Sequence, residues 1–284
     1  MTKPIQYIII MSTFTIRLSL KRGRMEITME NEKKFSGLRR FNLLMGFMHL
    51  VQGILMIVLS NNKAYPIYTS FLKFDLSKMA LVPDLKLAYG LRFGPAVAVF
   101  LLISAVAHFF LATVGYRYYV ANLKKGMNPV RFYEYALSSS VMIVLIGMLV
   151  GVYDLGAIIL IFGINAMMNL FGIMMELHNQ NTQKTNWTAF IFGSVAGIIP
   201  WIVIVLYFIG SIAGEGGKPP TFVYAIIPTL FVFFNIFAVN MVLQYKKVGR
   251  WKDYLFGERV YIILSLAAKT VLAWIIFAGT LAPV

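Results

Sequence analysis

The sequence has 284 residues, of which 59% are hydrophobic and only 13% charged, and its mean hydropathy is +0.75. Soluble domains average about 25% charged residues, so the composition excludes an ordinary soluble globule and points to a polytopic membrane protein. The absence of cysteine excludes disulfides, thiolate metal sites and cysteine nucleophiles, and the +15 net charge falls in short basic clusters between apolar runs, a pattern of anchoring to membrane lipid and not of nucleic-acid binding.

Residues 1–35 read as an N-terminal extension outside a core of 36–284. Its apolar stretch IQYIIIMSTF is too short to span a bilayer, and no small-residue cleavage site follows it. An interfacial or mobile segment is therefore expected in place of a signal peptide, and Met25 offers an alternative start. Seven long apolar segments follow, at 38–60, 93–120, 129–152, 154–176, 187–210, 220–245 and 256–282. Each is near the roughly 20 residues that a spanning helix needs, which predicts an all-α membrane protein of seven transmembrane helices. Pro95, Pro200 and Pro228 fall inside these segments, where neighbouring helices re-satisfy the freed carbonyls. Between the first two segments the long loop 61–92 alternates in IYTSFLKFDL, which predicts a short hairpin over the membrane surface.

Basic residues orient the chain. Nineteen Lys and Arg fall on the side of the N-terminal tail and six on the other, Lys269 being set apart. The positive-inside rule then predicts a cytoplasmic N-terminus, and seven spans predict an extracellular C-terminus.

Lys269 is the anomaly. It stands in the tenth place of VYIILSLAAKTVLAWIIFAGTL, the 22 residues from Val260 to Leu281. A lysine at the centre of a spanning helix costs about 2.5–3.5 kcal/mol on insertion scales, so something within the protein must pair it, solvate it or consume it. Most of the 11 acidic residues lie in the tail or at loop edges. Glu134 is the exception, just inside the third segment, and its spacing to Ser138 and Met142 puts the three on one helical face. A helical side chain leans toward the N-terminus, which drops the Lys269 head toward Glu134. A transporter's ion pair and a covalent lysine are both open at this point.

His49 and His108 also lie within segments. Each reads either as a packed residue or as half of a proton-accepting pair, and two histidines without cysteine make no metal site. Asn165 and Asn235 read as buried amides, and Phe231, Phe233, Phe234 and Phe237 line one helix. These features suit helix packing or a slot for a flat apolar ligand.

Taken together, YEYALSSSVMIVLI, IFGINA, AGIIPWI, LFVFFN, QYK and GERVYIILSLAAK resemble heliorhodopsins over nearly the whole chain from Phe41 onward. These are rhodopsin-like bundles inverted relative to the microbial rhodopsin pumps, in keeping with the charge count. The resemblance implies a light-sensing photoreceptor, not an enzyme, with all-trans retinal joined as a Schiff base to Lys269 and Glu134 as counterion. It further implies that Ser138 and Ser265 border the Schiff base, that Met142, Asn165 and Phe234 contact the chromophore, and that His49 and His108 form the cavity receiving its proton. It implies a homodimer and an unidentified signalling partner. The alternative within the same chromophore class is a light-driven ion transporter. Pumps carry a second carboxylate eleven residues on in the third helix and another one turn before the lysine; here those positions are Leu145 and Ser265. No net ion transport is therefore expected.

Overall fold

The computed structural model describes residues 32–213 and 221–281. IQYIIIMSTF and Met25 lie outside the described residues. The chain divides into two compact units, Met1–Phe41 and Asn42–Val284. Of the first, the described part is helical; the second carries the site discussed below.

Among the described residues seven helices are long and apolar enough to cross a membrane. They are α1 (Glu32–Leu59), α2 (Phe93–Ala112), α4 (Pro129–Leu149), α5 (Leu155–His178), α6 (Thr188–Ala213), α7 (Thr221–Tyr245) and α8 (Tyr254–Ile276), with a short α3 (Tyr116–Leu123) after α2. Lipid offers a backbone no hydrogen-bond partners, so such runs must satisfy their own N–H and C=O groups as helices. Polar residues start three of them: Asn128, Asp154 and Asp253 accept from backbone amides at the first turns of α4, α5 and α8. Pro129 follows at the first position of α4, where its missing N–H is harmless. The segment expected at 93–120 is two pieces: α2 ends at Ala112 and the chain turns before α3.

The loop 61–92 is a hairpin, though not a short one. Strands β1 (Ala64–Asp75) and β2 (Ala80–Arg92) pair antiparallel along their whole length, with an irregularity between Ile67 and Tyr68. Its base is fixed to the bundle. Tyr65 stacks on Phe93 at 4.1 Å, and the Tyr68 N–H donates to Tyr153 O at 2.8 Å.

Helix α4 is the most enclosed of the seven, packing between α2 and α5, with α5 in turn against α6 and α7 against α8. Inside lipid these contacts rest on close packing, since tails are as apolar as the side chains. On α6 the spacing Gly193–Gly197 gives α5 room: a Cβ on Gly193 would stand 3.1 Å from Phe171 Cβ and 3.3 Å from Met168 O. Gly151, at φ +100°, makes the reversal from α4 to α5, a conformation that side chains disfavour. The core runs through Leu145, Ile146, Trp201, Leu230 and Leu272, and a second cluster packs around Phe132, Met175 and Tyr261.

Candidate functional site

The buried side of α8 carries Glu258, Tyr261, Ile262, Ser265, Lys269 and Leu272, a stripe of three- and four-residue steps that keeps to one helical face. Lys269 is buried midway along α8, and its Nζ donates to Glu134 Oε1 at 3.0 Å and to Ser265 Oγ at 2.7 Å. Glu134, on α4, also accepts from Ser104 Oγ of α2 at 2.6 Å. Three helices therefore meet at one carboxylate. The Tyr135 ring lies 5.0 Å from Nζ, within cation–π range. A buried ammonium is tolerable only when paired and hydrogen-bonded, and this one is both.

A cavity of about 190 Å³ opens from Lys269 and Ser265 between α4, α5, α6, α7 and α8. Met142, Trp201, Phe234 and Phe237 give it apolar and aromatic walls, and Asn169 and Ser139 are among its polar groups. Trp201 is set edge-on to Phe234, with centroids 5.5 Å apart.

His108 lines a second, smaller cavity with Glu134. His49 and His108 are buried and stacked, with centroids 5.5 Å apart and planes within 10°. The His108 Nδ1 lies 2.7 Å from Asn42 Oδ1, which fixes the tautomer with the proton on Nδ1. Neither ring nitrogen of His49 has a hydrogen-bond partner.

Most residues singled out in the sequence thus converge on Lys269. Glu134, Ser265, Met142 and Phe234 touch it or its cavity, Ser138 is buried one turn beyond Glu134, and the two histidines form one stack. Asn165 is buried but bonds to Ser139 and Ser140 at 2.9 and 3.0 Å; the residue reaching the cavity wall is Asn169, one turn on. Asn235 is exposed, not buried, and donates to its own helix at Phe231 O, yet it lines the same cavity, in keeping with the slot for a flat ligand. Phe231 is exposed too and rests edge-on against Trp201.

Glu134 is not the lone exception among the acidic residues. Glu176 and Glu258 are buried as well, at the end of α5 and the start of α8, and both pair with buried Arg131 in the first turn of α4. Arg131 therefore belongs to the bundle interior and not to a connecting loop. The sequence held one signal for this: Glu258 precedes Lys269 by three helical turns, on the same face.

A family profile described as Heliorhodopsin matches residues 38–281. Among solved structures, a cyanorhodopsin from the cyanobacterium Tolypothrix sp. NIES-4075 superposes with a TM-score of 0.58 at 16% identity, over 84% of this chain and 92% of that one. At that identity the likeness is one of fold. No curated protein sequence matches the chain.

Proposed function

Because the chain belongs to the heliorhodopsin family, a family of retinal-binding, light-responsive proteins, we propose that it is a photoreceptor holding all-trans retinal on Lys269, and that it neither pumps ions nor turns over a substrate. The observation that carries this is a buried primary amine 3.0 Å from a single carboxylate, at the wall of an apolar aromatic cavity. Bound there as a protonated Schiff base, retinal supplies visible absorption and an isomerisation that light can drive.

The residues fit that group. Lys269 offers the amine, Met142, Trp201 and Phe234 offer flat apolar walls, and the unpartnered His49 nitrogens leave polar capacity beside the ion pair. Glu134 Oε1 holds positive charge at Nζ by Coulomb attraction in a low-dielectric site. Ser104 and Ser265 fix the two partners' positions, each through one hydrogen bond. Asn165 holds Ser139, which lines the cavity, and Ser138 is buried one turn beyond Glu134. When the proton at Nζ is released, His49 and His108 form the side of the site toward which it moves.

Leu145 is fully buried where a pump's second carboxylate would stand, so α4 offers no donor beyond Glu134, and a relay across a membrane ordinarily needs ionisable side chains. The proton then leaves and returns on one side. The basic-residue asymmetry supports the cytoplasm, with the N-terminus, as that side. The working form is a homodimer in the cell membrane that passes its conformational change to a signalling partner.

Adding all-trans retinal to the retinal-free protein tests the reading: a visible band should grow in, and its absence rejects the assignment. Illuminated vesicles should show no sustained pH change. A protonophore-sensitive change would make the protein a light-driven transporter.

A further inference from the structure

The Arg131–Glu176–Glu258 cluster does not line the Lys269 cavity, yet it is the most heavily bonded polar group among the described residues. Arg131 pairs with Glu176 Oε1 at 2.5 Å and with Glu258 Oε2. Glu258 Oε1 also accepts from Asn128 Nδ2 at 2.7 Å and from the Tyr119 hydroxyl at 2.9 Å. Glu176 accepts from the Asn128 N–H at 2.8 Å and from the Tyr254 hydroxyl at 3.0 Å. Every carboxylate oxygen is an acceptor, which is the pattern of two ionised groups.

The charges do not balance. The groups facing these carboxylates are Tyr119 from α3, Arg131 from α4, Tyr245 from α7, and Tyr254 and Tyr261 from α8, whose ring lies 3.9 Å from the guanidinium. Only Arg131 among them is a cation. One guanidinium against two carboxylates leaves one negative charge inside the bundle, and an uncompensated buried charge is strongly unfavourable. The Arg131 Nε and Tyr261 hydroxyl are buried without hydrogen-bond partners, so the cluster has polar capacity that its present bonds leave unused.

A route joins this cluster to Lys269. A single cavity of about 20 Å³ is lined by Glu134 and Ser265 of the Lys269 site, by Arg131 and Glu258 of the cluster, and by His108 and Asn42. It is roomy enough for about one water with several polar partners. Asn42 links His108 to the cluster as well, since its Nδ2 donates to the Tyr119 hydroxyl at 3.4 Å.

We propose that Arg131, Glu176 and Glu258 form a proton-binding site that takes up the proton released at Lys269 Nζ in the light, by way of the small cavity beside His108, and returns it in the dark. The inference rests on the retinal reading above. The N–H bond at Nζ breaks, an O–H bond forms on Glu258 or Glu176, and the reverse step restores both, so no co-reactant is consumed. The added proton neutralises the cluster. His108 is then a relay and the carboxylate pair is the terminus.

Light-minus-dark infrared spectra of the retinal-loaded protein test this. A protonated-carboxyl C=O band should appear as the visible band is lost, move on deuteration, and disappear or shift in Glu258→Gln or Glu176→Gln. No such band, or one untouched by both substitutions, overturns the proposal. Should Glu258→Gln fail to fold, Tyr119→Phe serves: it removes one of three bonds to Glu258 and should shift the same band, and an unmoved band counts against Glu258. Failure of the retinal reading is visible separately, as no pigment at all. In that event a dark infrared pH titration of the retinal-free protein still decides the site, since a buried carboxyl should titrate in the parent and be lost in one of the two Gln variants. A titration identical in all three proteins rejects it.

Discussion

Two ion clusters are buried among the described residues, and they differ in stoichiometry and in the kind of cation. Lys269 faces one carboxylate and opens onto an apolar cavity. Arg131 faces two and is closed in by tyrosines and Asn128. A primary amine can lose its proton and form a covalent bond; a guanidinium stays charged in proteins and presents a rigid fork of donors. The first cluster is therefore fitted for chemistry at its cation, whereas any change of state in the second must fall on its carboxylates. Charge inside a membrane protein points to function, and the two clusters offer it different routes.

The comparison breaks most sharply at Lys269. Lys269→Ala should abolish the visible band completely while the protein still folds, because no other lysine among the described residues lies buried in a spanning helix. Absorbance after adding retinal checks it, and surviving colour would move the attachment elsewhere. Arg131→Gln should leave colour possible but strip the second cluster of its cation. Breaking a buried pair by removing one partner costs about 3–5 kcal/mol, and two carboxylates are left here. Thermal denaturation in detergent should show a large loss, partly recovered in the double variant Arg131→Gln with Glu258→Gln. No recovery would mean that Arg131 acts through packing on Tyr261 and not through charge.

Glu134→Gln comes next. With no negative charge beside Nζ, the positive charge is less strongly held at that end of the chromophore, and the band should move to the red. An unchanged spectrum would mean that another group balances Lys269.

These clusters also divide what a reader of the sequence could see. Lys269 stood out because it interrupts 22 residues that otherwise have the length and polarity of a span, and Glu134 because it follows the start of a helix by enough residues to be inside. The seven helices were legible for the same reason: lipid permits long apolar runs only one local structure. Arg131, Glu176 and Glu258 each sit within a few residues of a segment end, where a charge ordinarily reaches solvent, and nothing local distinguishes a snorkelling side chain from a buried one. What buries them is tertiary: the starts of α4 and α8 and the end of α5 converge on the same end of the bundle. Asn235 departs in the opposite sense and only in part: it lines the cavity but is exposed, and an amide among phenylalanines looks interior until the face of α7 is known. The full length of the hairpin was hidden too, because alternation was sought in one strand while the partner ALVPDLKLAYGLR includes a proline and a glycine.

The smallest expected effect sharpens the comparison at Ser104, which the sequence did not flag. Its hydroxyl has one proton and two acceptors in reach, Glu134 Oε1 at 2.6 Å and Phe100 O at 3.0 Å. The shorter bond goes to the charged oxygen, and hydrogen bonds to charged groups contribute about 1.5–3 kcal/mol. Because Ser104 and Lys269 share Oε1, each draws on the same negative charge. Ser104→Ala should therefore leave more of that charge to Nζ, moving the visible band slightly to the blue, by less than Glu134→Gln moves it to the red. The backbone loses nothing, since Phe100 O keeps its helical partner. Here the two clusters part again: one neutral donor withdrawn from Glu134 leaves a balanced pair intact, whereas one withdrawn from Glu258 leaves an existing excess of negative charge less stabilised. A red shift in Ser104→Ala would mean that the hydroxyl holds Glu134 in place, and that without it the carboxylate swings away from Lys269.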